Sequence, residues 1–111
     1  MTRPFIPADR VMAHGMTLDE LTVRTSDDRE VGSVLGLVID PSAGHAGNIV
    51  VECRHRRVEV PLGSARLDPH MRALRLVDRD AERTWREFHG EIDTEFDEED
   101  LIAVLFRPAA A

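Results

Sequence analysis

The stretch VGSVLGLVIDPSAGHAGNIVVECRHRRVEVPL, residues 31–62, decides the fold. It is interrupted twice, at Asp40-Pro41-Ser42-Ala43-Gly44 and at Arg54-His55-Arg56, and the pieces on either side are rich in Val, Ile and Leu. Pro presets its own backbone angle and Gly supplies positive φ, so the first interruption reads as a turn between strands, and the second as a tight basic turn. From Gly47 onward Ile49, Val51 and Cys53 alternate, and after the basic turn Val58, Val60 and Leu62 do the same. That is the period-two signature of half-buried strands. Pro61 cannot donate to a ladder, which puts a strand end or a sheet edge there.

The piece from Ser33 to Asp40 behaves differently, because it is apolar on both sides. Val34 and Val38 lie on one side with Gly36 between them, and Leu35, Leu37 and Ile39 lie on the other. A strand with one wet face does not carry two apolar ones. Something must shield the second face, and the chain holds a matching apolar set in Trp85, Phe88, Leu101, Val104 and Leu105. At ~1.5–3 kcal/mol for each large side chain buried, docking of the C-terminal extension on Leu35, Leu37 and Ile39 is amply driven. A second copy of the chain is the alternative occupant.

Working outward, Leu21 to Thr25 alternates as a strand, and Ser26-Asp27-Asp28-Arg29 is a turn of residues whose side chains bond nearby amides. Thr17-Leu18-Asp19-Glu20 suits a single helical turn. Residues 1–16, with Pro4 and Pro7 and no periodicity, read as a flexible N-terminal arm. Downstream, Gly63 to Leu67 reads as a kinked strand or a turn, Asp68-Pro69-His70 as a turn, and Ala73 to Val77 as a last strand carrying Leu74 and Leu76. Short strands with closely spaced turn signals predict a mainly β protein, a small antiparallel β-barrel over residues 17–77, since closure removes exposed edges.

Residues 78–111 read as an acidic, partly helical extension. Asp80 is placed to cap a helix running to Phe88, with Ala81, Trp85 and Phe88 on one face. Asp97 is placed to cap a second short helix to Phe106, although the run from Leu101 to Phe106 fits a strand as well.

Charge separates these parts. Residues 1–77 hold ten acids and ten arginines, whereas residues 78–111 hold eleven acids against four arginines and so carry the whole net charge of −7. There is no Lys. A net-negative chain repels nucleic acid unless it presents a basic face. The concentrated candidate is the group Arg54, His55, Arg56 and Arg57, suited to an RNA phosphate or to an acidic partner, the chain's own extension included. The absence of Tyr weakens base stacking. The single cysteine, Cys53, excludes an internal disulfide and suits a reducing, cytoplasmic setting. No signal segment and no membrane-spanning run are expected.

No catalytic constellation emerges. His14, His45, His55, His70 and His89 lack metal-ligand spacing, and Cys53 sits on an apolar stripe that suits an inert thiol. Ser33 and Ser64 lack the context of a nucleophile elbow, and the glycines have strand and turn spacing. No metal, cofactor or enzymatic activity is expected.

The run Ser26-Asp27-Asp28-Arg29-Glu30-Val31-Gly32-Ser33-Val34, then Leu37-Val38-Ile39-Asp40-Pro41, then Val58-Glu59-Val60-Pro61-Leu62 with Ser64-Ala65 resembles the PRC-barrel domain family. That small β-barrel is found in the cytoplasmic part of the photosynthetic reaction centre H subunit and in a ribosome maturation factor. The resemblance covers roughly Leu18 to Val77, with Asp28 standing where the family usually has Gly in the first turn. It implies a non-catalytic module for contacts with other proteins, here expected as a homodimer. An RNA- or ribosome-associated assembly factor using the Arg54–Arg57 hairpin is the rival expectation.

Overall fold

The computed structural model describes residues 5–40, 45–76, 86–88, 102–103 and 107–108. Among them the protein is mainly β. The strands are β1 (Phe5–Pro7), β2 (Val11–Ala13), β3 (Met16–Thr17), β4 (Thr22–Arg24), β5 (Glu30–Asp40) and β6 (His45–Cys53). They continue as β7 (Arg56–Pro61), β8 (Ala65–Asp68), β9 (Ala73–Leu76), β10 (Arg86–Glu87), β11 (Ile102–Ala103) and β12 (Arg107–Pro108). Single 3-10 turns at Ala8–Arg10, Leu18–Glu20 and Leu62–Ser64 link neighbouring strands.

The eleven-residue β5 is the hub. One edge runs antiparallel to β6, from Ser33↔Glu52 to Asp40↔His45. Its other edge is divided between two partners: the first half takes β4 (Thr22↔Ser33) and the second half takes β1 (Ile6↔Leu37). From this hub the sheet extends through β6 to β7 and β10, and through β4 to β9, β8 and β12. A smaller sheet joins β11, β2 and β3.

Every strand from β4 to β9 contributes to one apolar cluster, which includes Val23, Val34, Leu37, Ile49, Val58 and Leu74. A sheet whose distant strands meet in one core is strongly curled, as the twist of β-strands promotes. It does not close into the expected barrel. Among the described residues the path ends at β10 on one side and β12 on the other. Nor is the pairing wholly antiparallel, because β4–β9, β8–β12 and β2–β11 run parallel. The β8–β9 hairpin is antiparallel within itself and meets β4 through its second strand, so the direction of that contact follows from connectivity.

The N-terminal segment corrects the expectation of a flexible arm. Phe5, Ile6, Ala8, Val11 and Ala13 are all buried. The connection between β2 and β3 is His14-Gly15, with φ of 53° and 79°. Two successive positive φ values match the twist of a two-residue hairpin, and Gly meets that demand without steric cost. The short helical turn expected after Thr17 is present as a 3-10 turn, in which the Glu20 carboxylate accepts from the Thr17 amide at 2.8 Å and from its hydroxyl at 3.1 Å.

The two faces of β5 are assigned differently from simple alternation. The register with β6 shifts between Val34 and Gly36. A bulge inserts one residue and resets which side chains point inward. Val34 and Leu37 therefore join the main core, with Ile39 packed against it, and Leu35 and Val38 turn to the opposite face. There Phe5, Val38, Val50 and Phe88 form a second cluster with Leu35 at its margin. So the set Leu35, Leu37 and Ile39 is split, and Phe88 covers Leu35 and Val38 instead.

In the extension, the helix expected from Asp80 to Phe88 is extended at Arg86–Glu87, where β10 pairs antiparallel with β7. The edge of β7 offered unpaired amides and carbonyls there, a stronger local demand than the helical face of Ala81, Trp85 and Phe88. The second expected helix is likewise extended at Ile102–Ala103. Trp85, Leu101, Val104 and Leu105 lie outside the described residues.

Candidate interaction surface

Two tight turns meet at one end of the sheet. The first spans Thr25 to Arg29. Its ends are joined by the Thr25 amide donating to the Arg29 carbonyl at 2.9 Å, and the Asp28 amide donates to the Thr25 carbonyl at 3.0 Å. The Arg29 amide donates to the Thr25 hydroxyl oxygen at 3.1 Å, and that hydroxyl donates to the Asp27 carboxylate. This last bond is the largest influence holding the Asp27 carboxyl below its ordinary range, helped by its own amide and by Arg29, against a smaller desolvation effect. Asp28 adopts φ 67°, the left-handed region that Asp tolerates better than most residues.

The second turn is the β6–β7 connection, Arg54-His55, closed by the pairing of Cys53 with Arg56. Arg54 has φ 57°. The register of β5 against β6 brings the turns together: with Ser33 opposite Glu52, residues 29–31 fall beside residues 53–56.

Between the turns lies an open depression of about 590 Å³. Arg29, Glu30 and Val31 form one wall. Cys53, Arg54, His55 and Arg56 form the other. The lining thus includes three arginines and one glutamate, with Val31 and the partly buried Cys53 as its apolar components. Guanidinium stays charged at any physiological pH and presents a planar fork of donors, which suits carboxylate or phosphate oxygens and cannot act as a general base.

Beside this surface, Arg24 and Arg75 stand opposite each other in the parallel β4–β9 register. Asp28 lies between them, 3.5 Å from Arg24 and 3.1 Å from Arg75. Arg75 also reaches Asp68 at 3.2 Å. The like charges on adjacent strands are thereby offset by Asp28 of the turn and Asp68 at the end of β8.

Of the residues singled out in the sequence, Arg54, His55 and Arg56 come together in the depression. Arg57 is exposed but does not line it; its carbonyl accepts from the Phe88 amide at 2.8 Å. Leu35, Leu37 and Ile39 lie in the interior or at its margin, away from this surface. Arg29 was missed as a member, although counting back across the hairpin from Glu52 to Ser33 brings it to the same end. His14, His55 and His70 occupy three separate turns. Among the described residues no group of three or more His, Cys, Asp or Glu side chains is placed to hold a metal ion. Likewise, no helix among the described residues is long and apolar enough to cross a membrane.

Comparison of the chain with models of protein families, with curated proteins and with solved structures finds no match.

Proposed function

We propose that this chain is a non-catalytic protein-interaction module, a curled relative of the PRC-type β fold that works through its arginine-bearing end. The observation that carries this reading is the convergence of Arg29, Arg54 and Arg56 on one concave surface, together with the covering of the second apolar face of β5 by Phe5 and Phe88. With that face already shielded, charge rather than exposed apolar area drives association. Its simplest partner is a second copy, because the chain joins a concentrated basic surface to an extension holding eleven acids and four arginines over residues 78–111.

Sedimentation at increasing salt tests this. The expected result is a dimer at about 50 mM salt that dissociates by about 500 mM, as screening shortens the range of charge interactions. A monomer at every salt concentration rejects self-association. The rival reading, an RNA-associated factor, uses the same arginines, but no Phe, Tyr or Trp lines the depression and the small His55 ring is left as its stacking platform.

A further inference from the structure

We infer that the depression between the Thr25–Arg29 turn and the Arg54-His55 turn is a docking site for an extended acidic peptide segment. This assignment rests on the interaction-module reading and names the chemistry of its partner.

Four observations converge on it. Among the lining residues Arg29, Arg54 and Arg56 outnumber Glu30, and although Asp27 of the adjoining turn interacts with Arg29, Arg54 and Arg56 add positive charge on the other side. Arginine forks recognise carboxylates through paired donors, and two loops supply them from opposite walls. The arginines stand on a prepared backbone: bonds of 2.9 and 3.1 Å between Thr25 and Arg29 fix one wall, and the pairing of Cys53 with Arg56 fixes the other. Fixing these positions before binding lowers the ordering cost of association. The shape is open, and a volume of about 590 Å³ admits a few residues of extended chain. An enclosed small-molecule site would instead surround most of its ligand.

A nucleic acid is disfavoured on the same grounds. His55 is the one ring among the described residues that line the depression, with no Phe, Tyr or Trp beside it, and the net charge of −7 opposes the approach of a long polyanion. A peptide with a few carboxylates responds chiefly to the charges within about a Debye length of it.

The test uses the full chain and fluorescence anisotropy with three labelled probes: an alternating Glu-Ser decapeptide, its Lys-Ser counterpart and a single-stranded RNA. The acidic peptide is expected to bind, salt-sensitively, and the Lys-Ser peptide not to bind. The double substitution Arg54→Gly and Arg56→Ser, in which Gly suits the positive φ at residue 54, should weaken binding by about tenfold or more. Arg72→Ser, on a different turn, should leave it unchanged, and thermal melting of each variant establishes that it is folded.

No binding of the acidic peptide by the full chain overturns the assignment. So does equal weakening by Arg72→Ser, and so does tighter binding of the RNA. The interaction-module reading fails separately: a salt-sensitive dimer that survives the double substitution keeps the module and removes this depression as its contact.

Discussion

The rings of Phe5 and Phe88 lie 5.9 Å apart between centroids, with their planes tilted at 31°. One belongs to the first strand and the other follows β10, so an early and a late segment of the chain meet over one face of β5 and β6. Val38 and Val50 complete the cluster, and all four side chains are buried. The second face of the long central strand is thus covered by Phe5 and Phe88 of the same chain. This long-range contact ties β1 and the residue after β10 to the centre of the sheet.

Phe88→Ala is expected to destabilise the protein by about 3 kcal/mol, the cost typical of emptying a buried aromatic site. Removal of residues 78–111 should do at least as much and expose Phe5, Val38 and Val50. Urea unfolding and sedimentation check both. A truncated chain that matches the full chain in stability and in number of copies per particle would show that Phe88 contributes no cover.

Three glycine substitutions should rank in a defined order. A Cβ at Gly36 would overlap the Phe5 ring and the Ile6 carbonyl, so Gly36→Ala should cost about 2 kcal/mol or more through forced displacement of β1. At Gly15 there is open space but φ is +79°, so Gly15→Ala should cost about 1 kcal/mol of backbone strain. Gly63 has open space and no positive φ, and Gly63→Ala should be neutral within about 0.5 kcal/mol. A different order in thermal melts would contradict the close approach of β1 to β5.

At Asp28 two effects oppose each other. Its φ of 67° carries a backbone cost that Gly would relieve. Its carboxylate bridges Arg24 and Arg75, but at 54% exposure such pairs contribute no more than about 1 kcal/mol each. Asp28→Gly should therefore lie within about 1 kcal/mol of the parent, while Asp28→Ala, which loses the pairs and keeps the strain, should be the less stable of the two. Equal melting temperatures for the two variants would argue against strain at this position.

Stability should fall in acid, in part through Asp68. The Met71 amide donates to its carboxylate at 3.2 Å. That bond is the largest influence lowering the Asp68 carboxyl below its usual range; Arg75, at 3.2 Å, and the His70 amide add to it, and desolvation works the other way. A carboxyl depressed in the folded state stabilises the fold above its unfolded pKa, and that contribution is lost as pH falls through the folded value. Melting temperature should thus decline from about pH 5 downward, and Asp68→Asn should give a shallower decline. Identical pH profiles would remove Asp68 from the account.

Much of the strand and turn order was legible in the residues themselves. The alternation of Ile49 with Val51 and of Val58 with Val60, the stop at Asp40-Pro41, the turn at Asp27-Asp28 and the single helical turn after Thr17 each follow from interactions over two to four positions, which local sequence encodes directly. The hairpin at His14-Gly15 was not legible in the same way, because Val11-Met12-Ala13 is apolar throughout and shows no period. Half of the candidate surface was visible, because Arg54, His55 and Arg56 are contiguous.

Tertiary structure decided what local rules cannot reach. The bulge between Val34 and Gly36 moved Leu37 and Ile39 to the core and Leu35 to the other face, since a one-residue shift reverses every later side chain and depends on which partner strand supplies the register. The same dependence set β1 rather than a second chain against β5, turned β9 parallel to β4, and kept the sheet from closing. It also brought Arg29 to the Arg54-His55 turn, because a concave site built from two segments exists only once their register is set.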